Sequence, residues 1–173
     1  KLSQPWAEIM AEEPLPNQYF ILKGQEASCL AYCNSADGRI WVLRNSEPLF
    51  GVKPKNAEQT FAHHAVLNPA ATLVALNGKA GTGKTLMAII GALEQWKNFR
   101  QILVARPIVG LANKDLGFLP GDVGDKIGPH MAAIWDNFSF VMNQYNEGTK
   151  EREKIEGFKE KGKFSVLPLA YIR

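Results

Sequence analysis

Apolar positions recur with two different periods along this chain, and the change of period divides it. Residues 17–44 hold three short runs rich in aromatic and branched side chains, NQYFILKG, SCLAYCN and RIWVLRN, separated by GQEA and NSADG. Such runs read as β-strands, and Asp37-Gly38 is a hairpin signal, so this stretch is expected to form a small antiparallel meander. Three strands seldom stand alone, which implies that the module leans on whatever follows it.

After the turn-like FGVKPK the period becomes helical. Asn56 can cap a helix running to about Leu67, in which Phe61/Ala65 and Ala62/Val66 pair at helical spacing, and Asn68-Pro69 ends it. ATLVAL (71–76) is a short apolar run of buried-strand type. From Lys84 to about Trp96, Leu86, Ile89, Ile90, Leu93 and Trp96 form one apolar stripe. QILVA (101–105) is the next expected strand. Gly128-Pro129 is expected to open a longer helix with Met131, Ile134, Trp135, Phe138, Val141, Met142 and Tyr145 along one face. Residues 149–163 mix lysine with glutamate and read as a solvated helix and loop, before a last strand at FSVL (164–167). Strand, helix, strand, helix, strand is the order of an α/β fold, a parallel sheet with crossover helices. The expected organisation is a β-rich module over 1–50 followed by an α/β domain over 51–173.

Composition narrows this picture only slightly. The chain has 173 residues, 46% hydrophobic and 21% charged, enough to bury a core for one domain with a small module beside it. A formal charge of +3 permits a polyanionic partner without arguing for one. Cys29 and Cys33 stand without further cysteines and read as free thiols in a reducing compartment. No run reaches the roughly 18–20 apolar residues of a membrane span, and KLSQPWAEIM lacks the apolar core of a signal peptide. A soluble, cytoplasmic protein is expected. The chain also begins without methionine and stops at Tyr171-Ile172-Arg173 after an apolar stretch, so it is expected to be a piece of something longer.

The candidate chemistry centres on NGKAGTGKTLMAII (77–90). Gly78-Lys79-Ala80-Gly81-Thr82-Gly83-Lys84-Thr85 fits G-x-x-x-x-G-K-[ST], between an expected strand and an expected helix. Glycines there can take positive φ and let backbone N–H groups point inward around a phosphate, at the positive end of the following helix. Lys84 would reach the β- and γ-phosphates, and the Thr85 hydroxyl would coordinate Mg²⁺.

Gln59, about twenty residues upstream, admits two readings. Its amide can satisfy both N6 and N7 of adenine, favouring ATP over GTP. It also stands three residues after Asn56, where a capping box would place it.

The stretch 105–130, ARPIVGLANKDLGFLPGDVGDKIGPH, is too long and too rich in Gly, Pro and Asp for a simple crossover. Arg106 is expected at the carboxyl end of a strand, where loops gather round a ligand, in reach of a phosphate; a surface arginine before a turn is the alternative. Asp115, Asp122 and Asp125 read as turn formers rather than metal ligands. Trp135 and Phe138 lie on the helical stripe and read as core.

KPKNAEQTFAHHAVL, LNGKAGTGKT, ILVARPIVG, LGFLPGDVGDKIGPHMAAIWDN and VLPLAYIR resemble, in the same order, the conserved blocks of the PhoH-like ATPases. The resemblance runs from about residue 50 to 173, and the β-rich segment before it is similar to the spacer that follows a PIN-type ribonuclease domain in PIN–PhoH polypeptides. It implies a RecA-like P-loop core related to superfamily 1 helicases, with ATP and Mg²⁺ as ligands. It further implies ring-shaped homo-oligomers such as hexamers, and a role in RNA unwinding or turnover. Gln59 matches the family's adenine-reading glutamine, and Arg106-Pro107 matches the block after the second strand. One departure stands out: after Lys84 no apolar run ends in the Asp-Glu pair that holds Mg²⁺ and polarises the attacking water. The expectation is ATP binding without turnover by these residues. A small-molecule kinase and a non-catalytic, nucleotide-dependent assembly module are the alternative readings.

Overall fold

Three short runs rich in aromatic and branched residues, β2 (Tyr19–Lys23), β3 (Ser28–Cys33) and β4 (Arg39–Val42), build an antiparallel sheet with β1 (Ser3–Pro5), in the order β1-β4-β3-β2. The computed structural model describes residues 3–34, 36–44, 47–107, 123–169 and 172. The three expected strands pair as a meander, with Tyr19 opposite Tyr32 and Cys33 opposite Ile40. Between β3 and β4, Asp37 Oδ1 accepts from the Arg39 N–H at 2.9 Å, closing the expected turn.

β1 is a fourth strand that the pattern did not reveal. SQP has no branched or aromatic residue; it is held from outside, by pairing with β4 and by the Arg39 guanidinium, which donates to Ser3 Oγ at 3.2 Å and to its carbonyl at 3.1 Å. Ala31, Cys33 and Ile40 form the buried centre, covered by Trp6, Ile9, Met10, Phe20 and Leu22.

Helix α1 (Ala57–Leu67) begins where expected, with Asn56 accepting from the Gln59 N–H at 2.8 Å. The meander leans on this helix: the Tyr19 ring lies 5.1 Å from Phe61, and the Tyr32 ring 4.2 Å from His64. Lys1–Pro48 and Lys53–Lys79 together make one compact unit.

The second unit, Leu49–Val52 with Ala80–Arg173, holds α2 (Lys84–Glu94), β5 (Ile102–Arg106), α3 (Val123–Met142), α4 (Lys150–Glu160) and β6 (Phe164–Pro168). β5 and β6 pair in parallel from Ile102 opposite Phe164 to Arg106 opposite Pro168, and α3 and α4 lie on the connection between them. Parallel neighbours need such a crossover because a tight turn can join only antiparallel strands. Ile89, Ile90 and Leu93 of α2 are buried, as are Met131, Ile134, Phe138 and Val141 of α3, so both expected stripes face a core. Trp135 and Phe138 pack on Phe164 with ring centroids 5.8 and 4.8 Å away; Phe138 is a core residue and Trp135 is half-buried at its edge.

Three expectations need correction. ATLVAL (71–76) forms no strand: no described strand pairs with it, and Leu73 stands 88% exposed. An apolar run is only a candidate strand until a neighbour supplies its hydrogen bonds. α3 opens at Val123 rather than at Gly128-Pro129, which fall inside it, and Tyr145 lies beyond its end. α4 is more than a solvated helix, since Ile155 is 0% and Phe158 3% exposed. Two apolar residues three apart among charged ones are enough to bury one edge of a helix. The turn expected at FGVKPK is present: Phe50 and Gly51 both have positive φ (47° and 74°), and Leu49 and Val52 exchange backbone hydrogen bonds across them. Positive φ at both central residues is the geometry of a type I′ turn.

Candidate functional site

The second half of the glycine-rich motif forms the entry to α2. Gly81 and Gly83 take φ of 76° and 85°, conformations that a side chain would disfavour. Gly83 is the N-cap, and its carbonyl accepts the first helical bond from the Met87 N–H at 2.9 Å. The first-turn amides of such a helix lack carbonyl partners within it, and its dipole makes that end positive.

Charge placement at this end is unlike that of the other capped helices. α1 carries Glu58 in its first turn and α4 carries Glu151 and Glu153, whereas α2 has no acidic residue there and starts on Lys84. A lysine at a helix N-terminus adds to the positive field, a local cost on the order of 0.3–1 kcal/mol that a bound anion would reverse. Lys84 is half-buried, and its Nζ donates to Thr82 Oγ1 at 3.4 Å. Thr85, in the same turn, is exposed, as are Ala80 and Thr82. The donor set suits a polyphosphate and a hard cation: backbone amides and an ammonium for phosphate oxygens, and a hydroxyl oxygen for Mg²⁺. Among the described residues no group of three or more His, Cys, Asp or Glu could hold a metal.

The expected site residues fall in both units. Ala80, Gly81, Thr82, Gly83, Lys84, Thr85 and Arg106 belong to the second, and Gln59, Gly78 and Lys79 to the first. The Gly78 N–H donates to Asn77 Oδ1 at 2.8 Å. Arg106 is the last residue of β5 and is exposed, at the carboxyl end of the parallel pair. Asp115 and Asp122 lie outside the described residues; Asp125 lies within α3.

Gln59 caps its helix. Its Oε1 accepts from the Lys55 N–H at 2.8 Å while its own N–H donates to Asn56 Oδ1. The reach goes one residue beyond the N-cap, a variant of the capping box.

Sequence reasoning missed the rings that hold α1. Tyr19 Oη and His64 Nδ1 share a hydrogen bond of 2.9 Å. Burial, and then the neighbouring Tyr32, push the Tyr19 phenol up to about 12; burial, and then the nearby His63, hold His64 below its usual value. The only signal was a pair of tyrosines placed to face each other across β2 and β3, with two histidines on the next helix.

Comparison with known proteins follows the same boundaries as the motifs. The family model for PhoH-like protein matches residues 51–173. The protein PhoH2 of Bacillus subtilis is 36% identical over 165 residues, covering 91% of this chain and 36% of the relative. PhoH2 of Mycolicibacterium smegmatis is 32% identical over 155 residues, covering 88% of this chain and 33% of its own length. A PhoH-like protein of Bacillus subtilis is 37% identical over 98 residues, covering 56% of this chain and 28% of the relative. The chain thus spans roughly a third of these relatives, and no solved structure matches it.

Proposed function

Because the chain belongs to the PhoH-like family, a family of P-loop ATPases, we propose that its glycine-rich turn encloses the phosphates of ATP, in a RecA-like, helicase-like ATPase domain acting on RNA. The observation that carries the nucleotide reading is the entry to α2: a left-handed Gly83 followed at once by Lys84, with no carboxylate in the first turn to offset their field. Gly78 to Thr85 wrap the triphosphate. Lys84 steadies the β- and γ-phosphates, Thr85 ligates Mg²⁺, Gln59 reads adenine, and Arg106 contacts phosphate from the carboxyl end of β5. Mg²⁺ would supply charge neutralisation across the phosphates.

RNA unwinding or turnover, assembly into a homo-oligomeric ring, a cytoplasmic setting, and coupling to a PIN ribonuclease domain complete the reading, and all four rest on family resemblance. No helix among the described residues is long and apolar enough to cross a membrane, which is compatible with it. These 173 residues contain no apolar run after Lys84 that ends in Asp-Glu, so they bind ATP without sustained turnover.

Isothermal calorimetry with MgATP and MgGTP tests this directly. Heat of binding for ATP, lost in Lys84→Ala, is expected, with no sustained phosphate release. Silence with every purine nucleotide would overturn the nucleotide reading, and steady phosphate release that depends on Lys84 would overturn the claim of binding alone.

A further inference from the structure

The end of α2 remote from Lys84 carries a second cationic surface that the nucleotide reading does not use. Trp96 follows α2 in a turn, and its ring meets Phe158 of α4 edge-on at 5.3 Å, which fixes the indole. Around it stand three ammonium groups: Lys163 Nζ at 4.6 Å from the ring centroid, Lys154 at 5.5 Å and Lys97 at 5.9 Å. A neutral ring can gather cations through its quadrupole without cancelling their charge. Among the described residues the ion pairs are those of Arg152, and none of the three lysines shares in one.

Hydrogen bonds tie the segment after α2 to the turn before β6: the Ile102 N–H donates to the Lys163 carbonyl at 2.7 Å and the Gln101 side-chain amide donates to the Gly162 carbonyl at 3.2 Å, while the Lys163 N–H donates to the Phe158 carbonyl at 2.9 Å and closes the end of α4. The turn after α2 also exposes Phe99, 61% accessible, between Lys97 and Arg100, and the turn before β6 exposes Lys161. The surface is therefore carried on segments tied to each other, holds three ammonium groups, and lies two residues along the chain from an aromatic ring open to solvent. Eleven residues of helix, about 16 Å at 1.5 Å per residue, separate it from the Lys84 end.

We infer that this surface, Lys97, Lys154 and Lys163 around Trp96 with Phe99 beside them, binds the backbone of a single-stranded nucleic acid. Unpaired ammonium groups held close together repel one another, and a run of phosphates relieves that repulsion while releasing its own counterions. An acidic polypeptide would offer the same charge, but it would leave Phe99 without a stacking partner, which a base supplies. The inference deepens the RNA reading proposed above by naming where the strand lies, and it is independent of nucleotide at the glycine-rich turn.

Fluorescence anisotropy of a labelled oligouridylate, read across a salt series without nucleotide, tests it. Lys97→Gln/Lys163→Gln is expected to weaken binding about tenfold and to flatten the salt dependence by about 0.7 in log–log slope for each lost phosphate contact. Phe99→Ala should weaken binding with the slope unchanged. Parent-like affinity and slope in the double variant, with the parent binding RNA, would overturn this surface while leaving the RNA reading intact. No binding by the folded parent at low salt would overturn both. Displacement by polyglutamate as effective as by unlabelled RNA would assign the surface to an acidic polypeptide instead.

Discussion

Tyr19 Oη lies 2.9 Å from His64 Nδ1, so that a strand of the N-terminal sheet and the helix bearing Gln59 share one hydrogen bond inside a cluster of rings. Burial and His63 hold the imidazole below its unfolded value, and burial and Tyr32 hold the phenol above its own. With His64 depressed, the unfolded chain binds a proton first as pH falls. Stability is then full above about pH 6.5 and drops as pH falls from there to the folded value. With Tyr19 raised to about 12, stability is full below about pH 10 and drops between there and pH 12. Thermal melts of His64→Gln should flatten the acidic slope, and those of Tyr19→Phe should flatten the alkaline one, to which Tyr32, Cys33 and Tyr145, also raised by burial, still contribute. Slopes identical to the parent in both variants would mean the cluster does not govern either limb.

Asn56 and Gln59 both cap the start of α1, and the proposed function asks Gln59 to read adenine as well. Asn56→Ala removes the acceptor for the Gln59 N–H and should cost about 1 kcal/mol in a melt, with nucleotide preference unchanged. Gln59→Ala should also lose the bond to Lys55, and in addition weaken ATP about tenfold, one charge-free hydrogen bond's worth, while leaving GTP alone. Equal losses for both nucleotides would reduce Gln59 to a cap.

Gly51 is constrained twice. Its φ is 74°, and a Cβ there would stand 2.8 Å from Gln144 Cβ. Gly51→Ala should therefore destabilise by more than the roughly 1 kcal/mol that left-handed backbone alone costs an alanine. Gln144→Gly should recover part of the difference in the double variant. Simple additivity of the two changes would show that the contact contributes nothing.

Ile155 is fully buried although every residue of its helix except Ile155, Gly157 and Phe158 is charged. Ile155→Ala should cost about 2–5 kcal/mol in chemical denaturation, and Lys150→Ala, on the exposed side, within about 0.5 kcal/mol of zero. A similar small effect for both would return α4 to the solvated helix that its composition suggests.

Local pattern was enough wherever a residue's role depends on near neighbours. The meander, the Asn56 cap, the stripe on α2 and the strands at 102–106 and 164–168 were all legible, because period, caps and turn chemistry act within a few residues. The glycine-rich turn was legible for the same reason: Gly83 and Lys84 are adjacent, and their geometry is set by the chain they lie on.

What only the tertiary structure decided involves partners far along the chain. β1 exists because Arg39 and β4 reach it across more than thirty residues, whereas ATLVAL stays out of any sheet because no described strand meets its hydrogen-bonding groups. Ile155 is buried because α3 and β6 are there to cover it, and Trp96 collects lysines from a helix and a turn some sixty residues on. Backbone pairing and burial are satisfied by whichever group arrives in space, and no local period encodes that arrival.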